Sequence, residues 1–321
     1  MSAQENRPRA SVIGAANLDM EMHLLQSWQD TVSNPVVCIE RTGGVAANVA
    51  QQLAKTCETR LYTALGDDAA GNKIFKELSA NNVVVKSLSQ RHRTGIYVAV
   101  LQHNGELKAG LADTSGIESV DRKQLLQVNR HLQNQQAVCF DCNCSESLIK
   151  EIVITAATAN PHKIHGSHSN NTTAHQPLLV ALGVSPTKIK KLRAHTAQID
   201  ILFANRSELQ ELADMKSSDT LEKIALAVHD SGVKQVVATD AANDIVIVDQ
   251  GGVELQPVAP TANETTSAAG SIQDNRTAHS VNGAGDALAG ATLAALLQKV
   301  PLKIAVRDFG IVAAAEQLAK S

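Results

Sequence analysis

Aromatic side chains are scarce: one Trp, two Tyr and four Phe in 321 residues. So few rings cannot build the stacking platforms that hold single-stranded nucleic acid, and the core has to be assembled from Ala, Val, Leu and Ile. A basic excess is missing too. Lys and Arg number 29 against 32 Asp and Glu, a net charge of −3 with the signs interspersed, which argues against duplex binding by counterion release. No apolar run approaches the roughly 18 residues that cross a bilayer, and the opening MSAQENRPRA has no signal-like apolar stretch. The expectation is a cytoplasmic protein with no membrane or nucleic-acid partner. Five cysteines make an odd set, expected to stay reduced.

What is present is a 44% hydrophobic chain, long enough for one large α/β domain over residues 1–321. Short apolar runs alternate with amphipathic stretches. ASVIGA at 10–15 reads as a first buried strand, with Asn17 and Asp19 just beyond its carboxyl end, where open α/β sheets bind their ligands. RLYTALG, DDAAGNKIFKELSA and NNVVVKSL repeat strand, helix and strand, the rhythm of parallel βαβ units. Further strands are read at AVCFD, PLLVALG, IDILFA, VKQVVATD and DIVIVD. Helices are read at SESLIKEIVITAATA, at Asp121 to Leu132 and at PTKIKKLRAH.

TGIYVAVLQHNGELKAGLADT breaks that rhythm. Two alternating runs around His103-Asn104-Gly105 read as a β-hairpin, and a hairpin inside an α/β chain is a candidate lid. Lid elements are expected at about 18–41 and 92–113. Two polar stretches, at about 160–176 and 259–279, read as surface inserts.

The segment richest in chemistry is Asn282-Gly283-Ala284-Gly285-Asp286, which opens the apolar stretch ALAGATLAALLQK. Gly283, Ala284 and Gly285 leave backbone N–H groups uncovered at a helix start, where the dipole adds positive potential: an anion hole. Asp286 stands beside it, placed to accept a proton from an attacking hydroxyl. Asn205-Arg206-Ser207-Glu208 reads as a helix capping box, a role compatible with a second one in ligand binding. Cys139, Cys142 and Cys144 lack finger spacing and read as structural thiols. His162, His165, His168 and His175 sit in a polar stretch without a carboxylate and read as a solvated insert.

Gly43-Gly44 with Asn48, the pair Asn17 and Asp19, GDDAAG at 66–71, the Asn205–Glu208 segment and the Gly-Ala-Gly-Asp loop occur in one order. In that order they resemble the ribokinase-like carbohydrate kinases, from about Ser11 to about Leu318. The resemblance implies a doubly wound, mostly parallel sheet flanked by helices with a small β-sheet lid, and association as a homodimer through that lid. It implies that Asn17, Asp19, Gly43, Gly44 and Asn48 bind the acceptor. Asn205, Glu208 and Thr239 would serve ATP and Mg²⁺, Glu208 reaching the metal through water, and a monovalent cation is compatible with the family.

Within it, LKAGLADTSGIESV, CFDCNCS and VSPTK resemble segments of kinases acting on pseudouridine, which implies transfer from ATP to a nucleoside 5′-hydroxyl. Asp141-Cys142-Asn143, at the end of a strand, and Lys188 would then face the nucleoside. Another sugar or nucleoside, or a catalytically weak nucleoside sensor, are the alternatives. The chain departs from the family pattern at Ser280-Val281 and at Leu182-Gly183. It departs again at Asp240 to Asp244, whose two carboxylates would repel a nucleotide unless turned away.

Overall fold

The computed structural model describes residues 7–89, 93–132, 134–158, 176–241, 243–258 and 283–320. The expected inserts at about 160–176 and 259–279 lie outside the described residues, residue 176 excepted, as do Ser280, Val281, Asn282 and the histidines at 162, 165, 168 and 175.

The apolar runs become the strands of a nine-stranded sheet: β1 (Arg9–Ile13), β4 (Glu58–Ala64), β5 (Val83–Ser89), β8 (Ala137–Asp141), β9 (Leu178–Leu182), β10 (Ile201–Asn205), β11 (Gln235–Thr239), β12 (Ile245–Asp249) and β13 (Gly252–Gln256). Their order is β13-β12-β11-β10-β9-β8-β1-β4-β5. From β11 to β5 every neighbouring pair is parallel, and β12 and β13 add an antiparallel edge. The chain runs outward from β1 in one direction and from β8 in the other, so the switch in strand order falls between β1 and β8. That is where a crevice opens at the carboxyl ends of such a sheet.

Seven longer helices carry the flanking layers: α1 (Val45–Ala54), α2 (Ala69–Ala80), α3 (Glu146–Ala157), α4 (Arg206–Ala213), α5 (Leu221–Asp230), α6 (Ala284–Leu297) and α7 (Ile311–Lys320). One face of the sheet packs Phe140 and Leu202 against Ile149 of α3, Leu209 of α4 and Ile224 of α5. The other packs Val12 and Leu61 against Leu53 of α1, Ile74 of α2 and Leu293 of α6. A parallel sheet covered on both sides needs strands that are apolar throughout, and these are. Cys139, Cys142 and Cys144 are buried in these layers, and burial pushes their thiols up. Among the described residues no group of three His, Cys, Asp or Glu is arranged to hold a metal ion, and no helix is long and apolar enough to cross a membrane.

Two helices expected as continuous are broken. The segment from Asp121 to Leu132 forms turns at 122–126 and 129–132, with Val128 N–H bonding back three residues to Leu125. Val and Asn at the break are weak helix formers. The PTKIKKLRAH segment is helical over Pro186–Ile189 and tightens to a 3₁₀ turn over Lys190–Leu192.

A second, four-stranded sheet has the order β3-β2-β6-β7. Its strands are β2 (Asn17–Leu24), β3 (Val36–Gly43), β6 (Gly95–Leu101) and β7 (Leu107–Asp113). The hairpin expected at His103 to Gly105 joins β6 to β7, with Gly105 in the left-handed region at φ +82°. Asp68 anchors this sheet to the core: it caps α2 by accepting from Gly71 N–H and also takes the N–H and hydroxyl of Thr94, just before β6.

Candidate active site

A cavity of about 680 Å³ lies between the two sheets, at the carboxyl ends of the parallel strands. Helix α6 points its first turn at it. Gly283 precedes the helix at φ +87°, a conformation glycine adopts without a Cβ penalty, and the first-turn N–H groups have no partner within the helix. Helix α6 is apolar nearly all round and presses closely on α1. A Cβ on Gly290 would stand 2.6 Å from Gln52 Cβ and 3.1 Å from the Val49 carbonyl oxygen. That close approach brings Asn48 of α1 to Asp286 of α6, and the amide Nδ2 donates to Asp286 Oδ2 at 2.9 Å. Burial pushes the Asp286 carboxyl up to about 6, with Asp141 adding repulsion and the Asn48 bond opposing both.

Asp19 faces the same space from β2. Its carboxylate lies directly against Gly43, where a Cβ would come within 2.0 Å of Oδ2. Asp19 Oδ1 is buried without a hydrogen-bond partner. Burial first, then the charges of Asp286 and Glu21, push this carboxyl up to about 7. Beside it, Asn17 is buried against Gly95.

On the opposite wall Asn205 caps α4. Its Oδ1 accepts from Glu208 N–H at 3.0 Å while Glu208 Oε2 accepts from Asn205 N–H at 2.9 Å, so the expected capping box is formed. Burial pushes the Glu208 carboxyl up to about 7, the Asn205 backbone bond opposing and the Asp286 charge adding. Gly183 is the reason this carboxylate fits: a Cβ there would stand 2.2 Å from Glu208 Oε2. The departure from the family pattern at Leu182-Gly183 thus makes room for Glu208. Thr239, paired in register with Asn205, also lines the cavity.

Asn143 and Lys188 meet at a third wall. Lys188 Nζ donates to Asn143 Oδ1 at 2.6 Å and to Thr114 Oγ1 at 2.8 Å, and lies 3.7 Å from Glu118 Oε1. Of the residues singled out in the sequence, Asn17, Asp19, Gly44, Asn48, Asn143, Lys188, Asn205, Glu208, Thr239, Gly283, Gly285 and Asp286 line this one cavity. Gly43 and Ala284 do not; Gly43 instead supports Asp19 from behind. Sequence reasoning missed Tyr97 and Thr114, which the small sheet brings to the lining. Tyr97 stands in register beside Asp19, a relation only strand pairing reveals. Of the two carboxylates expected to repel a nucleotide, Asp240 is paired, its Oδ2 accepting from Arg206 Nε at 2.7 Å, and Asp244 is exposed.

The sequence from residue 8 to residue 321 matches the model of the pfkB family of carbohydrate kinases. The chain belongs to that family. It is a phosphotransferase with a hydroxyl acceptor, a sugar or nucleoside kinase, on the ribokinase-like fold. It is similar to the pseudouridine kinase of Escherichia coli (strain K12), 26% identical over 246 residues that cover 75% of this chain and 73% of the relative. Among solved structures, a carbohydrate kinase from Agrobacterium tumefaciens superposes with a TM-score of 0.75 at 24% identity, covering 96% of this chain and 90% of the other. An Arabidopsis thaliana ribokinase complexed with ribose and ATP superposes with a TM-score of 0.70 at 21% identity, covering 98% of each chain.

Proposed function

We propose that this kinase transfers the γ-phosphoryl group of ATP to the 5′-hydroxyl of pseudouridine, giving pseudouridine 5′-phosphate and ADP. The observation that carries the reading is the grouping of Asp19, Asn48, Asn143 and Lys188 around Asp286 in one cavity, together with the likeness to a pseudouridine kinase. Asn17 and Asp19 hold the ribose hydroxyls; the buried, unpartnered Asp19 Oδ1 gains an O–H donor when the sugar arrives. Asn143 and Lys188 meet the base, the ammonium facing a ring carbonyl.

Asp286 accepts the 5′-hydroxyl proton as the oxygen attacks phosphorus. A carboxyl held near 6 is ionised at neutral pH yet basic enough for that task. The N–H groups of the Gly283–Gly285 turn receive the charge on the transferred phosphoryl group. On the nucleotide side stand Asn205, Glu208 and Thr239. The residues fit a Mg²⁺ ion that would arrive with ATP: the Asp286 charge pushes the buried Glu208 carboxyl up, and Glu208, reaching the ion through water, would have that repulsion offset by the added positive charge. Bound there, the ion neutralises phosphate charge. The small sheet closes over the acceptor and excludes water, the competing nucleophile. Its exposed Val37, Leu107 and Leu111 are covered by a second copy in a homodimer.

A coupled ADP-release assay with ATP, Mg²⁺ and pseudouridine, beside uridine, ribose, fructose and adenosine, tests the reading. Selective turnover of pseudouridine is expected. Preference for another acceptor keeps the kinase and overturns the substrate. Silence across the panel with pseudouridine bound favours a nucleoside sensor.

A further inference from the structure

The carboxylate most deeply enclosed near the cavity does not line it. Asp141 ends β8, at the switch between β8 and β1, and is fully buried. Its Oδ2 accepts from Ala15 N–H at 2.9 Å and from Ala46 N–H at 3.1 Å, and its Oδ1 accepts from Asn143 N–H at 2.9 Å. These donors belong to three separate segments. Ala15 follows β1 and lies two residues before Asn17; Ala46 is in the first turn of α1, two residues before Asn48; Asn143 itself lines the wall. One buried side chain therefore ties down the backbone that presents all three asparagines to the cavity.

We infer that Asp141 is the positioning residue of the acceptor cavity, fixing Asn17, Asn48 and Asn143 relative to one another from inside the protein. The inference rests on the reading of this cavity as the acceptor site. Both carboxylate oxygens act only as acceptors, which an amide cannot reproduce: Asn at this position would turn its NH₂ toward a backbone N–H, leaving donors face to face in the interior. Gly14 is the second part of the device. A Cβ there would stand 2.4 Å from both Cγ and Oδ2 of Asp141, so glycine is what admits the carboxylate to its three donors. Cavity groups of this kind lose rate and affinity when their support loosens by a fraction of an ångström.

The test uses Asp141→Asn, Gly14→Ala and, as a control, Asp200→Asn. Asp200 accepts from Leu179 N–H at 2.7 Å and from Lys234 Nζ at 2.6 Å on the same sheet, away from the cavity. The first readout is the side-chain amide resonances of Asn17, Asn48 and Asn143 in the ligand-free protein, with Asn205 as internal reference. The second is the Michaelis constant for the acceptor that the parent enzyme prefers, set against that for ATP.

Asp141→Asn and Gly14→Ala are expected to shift or broaden the three amides and spare Asn205. They should raise the acceptor KM about tenfold or more while the ATP KM stays within about twofold. Unchanged amides in a folded variant, or the same changes in Asp200→Asn, overturn the inference. If Asp141→Asn does not fold, Gly14→Ala carries the decision with the carboxyl group still in place. If the parent turns over none of the panel acceptors, the functional reading fails, and the amide spectra still decide the role of Asp141.

Discussion

Asn48 donates a hydrogen bond to Asp286 at 2.9 Å across 238 residues of chain. The bond joins the helix that follows the Gly-Gly turn to the helix that follows the Gly283–Gly285 turn, and it orients the carboxylate that the proposed chemistry needs. With one oxygen engaged by an amide donor, the other is left to take the proton. Asp286→Asn keeps the size and removes the base. Turnover should fall by about 10²–10⁴, with acceptor affinity by calorimetry close to that of the parent. Activity retained at parental level would rule Asp286 out as the base.

The same bond sets a pH profile. Burial and the Asp141 charge push the Asp286 carboxyl up to about 6, and the Asn48 N–H holds it there against a further rise. The other carboxylates around the cavity, Asp19 and Glu208, each feel the Asp286 charge. In Asn48→Ala the opposing bond is gone, so the acid limb of kcat/KM should move to higher pH. A limb that stays in place or moves to lower pH would show that Asn48 does not stabilise the ionised form.

How much of this was legible in the sequence differs by element. The strand runs and the Gly-Ala-Gly-Asp turn carry their own local signals, period and composition, and both appear where they were expected. Asp141 stands out only with Asn143, at a strand end expected to face the nucleoside; instead it is fully buried and does not line the cavity, because two of its donors lie more than 90 residues away in the chain. The Thr114, Asn143 and Lys188 cluster is equally long-range. Asp240 was read as repulsive because its partner, Arg206, belongs to another strand-helix junction. The two broken helices reflect marginal local propensity, which the strand-to-helix rhythm alone does not reveal.

Gly43 offers a substitution that touches the cavity only through its neighbour. A Cβ at this position would come within 2.0 Å of Asp19 Oδ2, and the carboxylate lies against it on a paired strand, so it has to swing away. Gly43→Ala should raise the acceptor KM about tenfold and leave the ATP KM unchanged in the same assay. An equal rise in both constants would point to a general loosening of the small sheet instead.

Lys188 ties the end of β7 to the core through Thr114 and Asn143. Lys188→Met keeps the stem and deletes the charge, which frees Asn143 Oδ1 and leaves the Thr114 hydroxyl with Glu118 Oε1 alone, to which it donates at 2.9 Å. Thr114→Val removes one of the two contacts. Acceptor KM should rise in both variants, by about tenfold in the first and less in the second. Should Thr114→Val exceed Lys188→Met, the hydroxyl rather than the ammonium would be the group that matters to the acceptor.

The ligand-free protein should lose stability as pH rises, and the sign follows from three carboxyls. Asp19 and Glu208 are pushed up to about 7 and Asp286 to about 6, from ordinary values of 3.8 for Asp and 4.5 for Glu. Between about pH 4 and about pH 7 the unfolded chain has released protons that the native state still holds, so the native state binds more, and stability falls with rising pH across that window. Above it the contribution of these three carboxyls is complete. Glu208→Gln retains an oxygen to accept from Asn205 N–H and removes one of the three charges. It should melt about 2 °C or more above the parent at about pH 8 and match it near pH 4, while losing activity. Urea midpoints measured across the window without metal or nucleotide read the slope directly. A parent whose stability rises toward neutral pH would mean that these carboxyls find compensation in the folded state, and Asp286 would then be a weaker base than the proposed transfer requires.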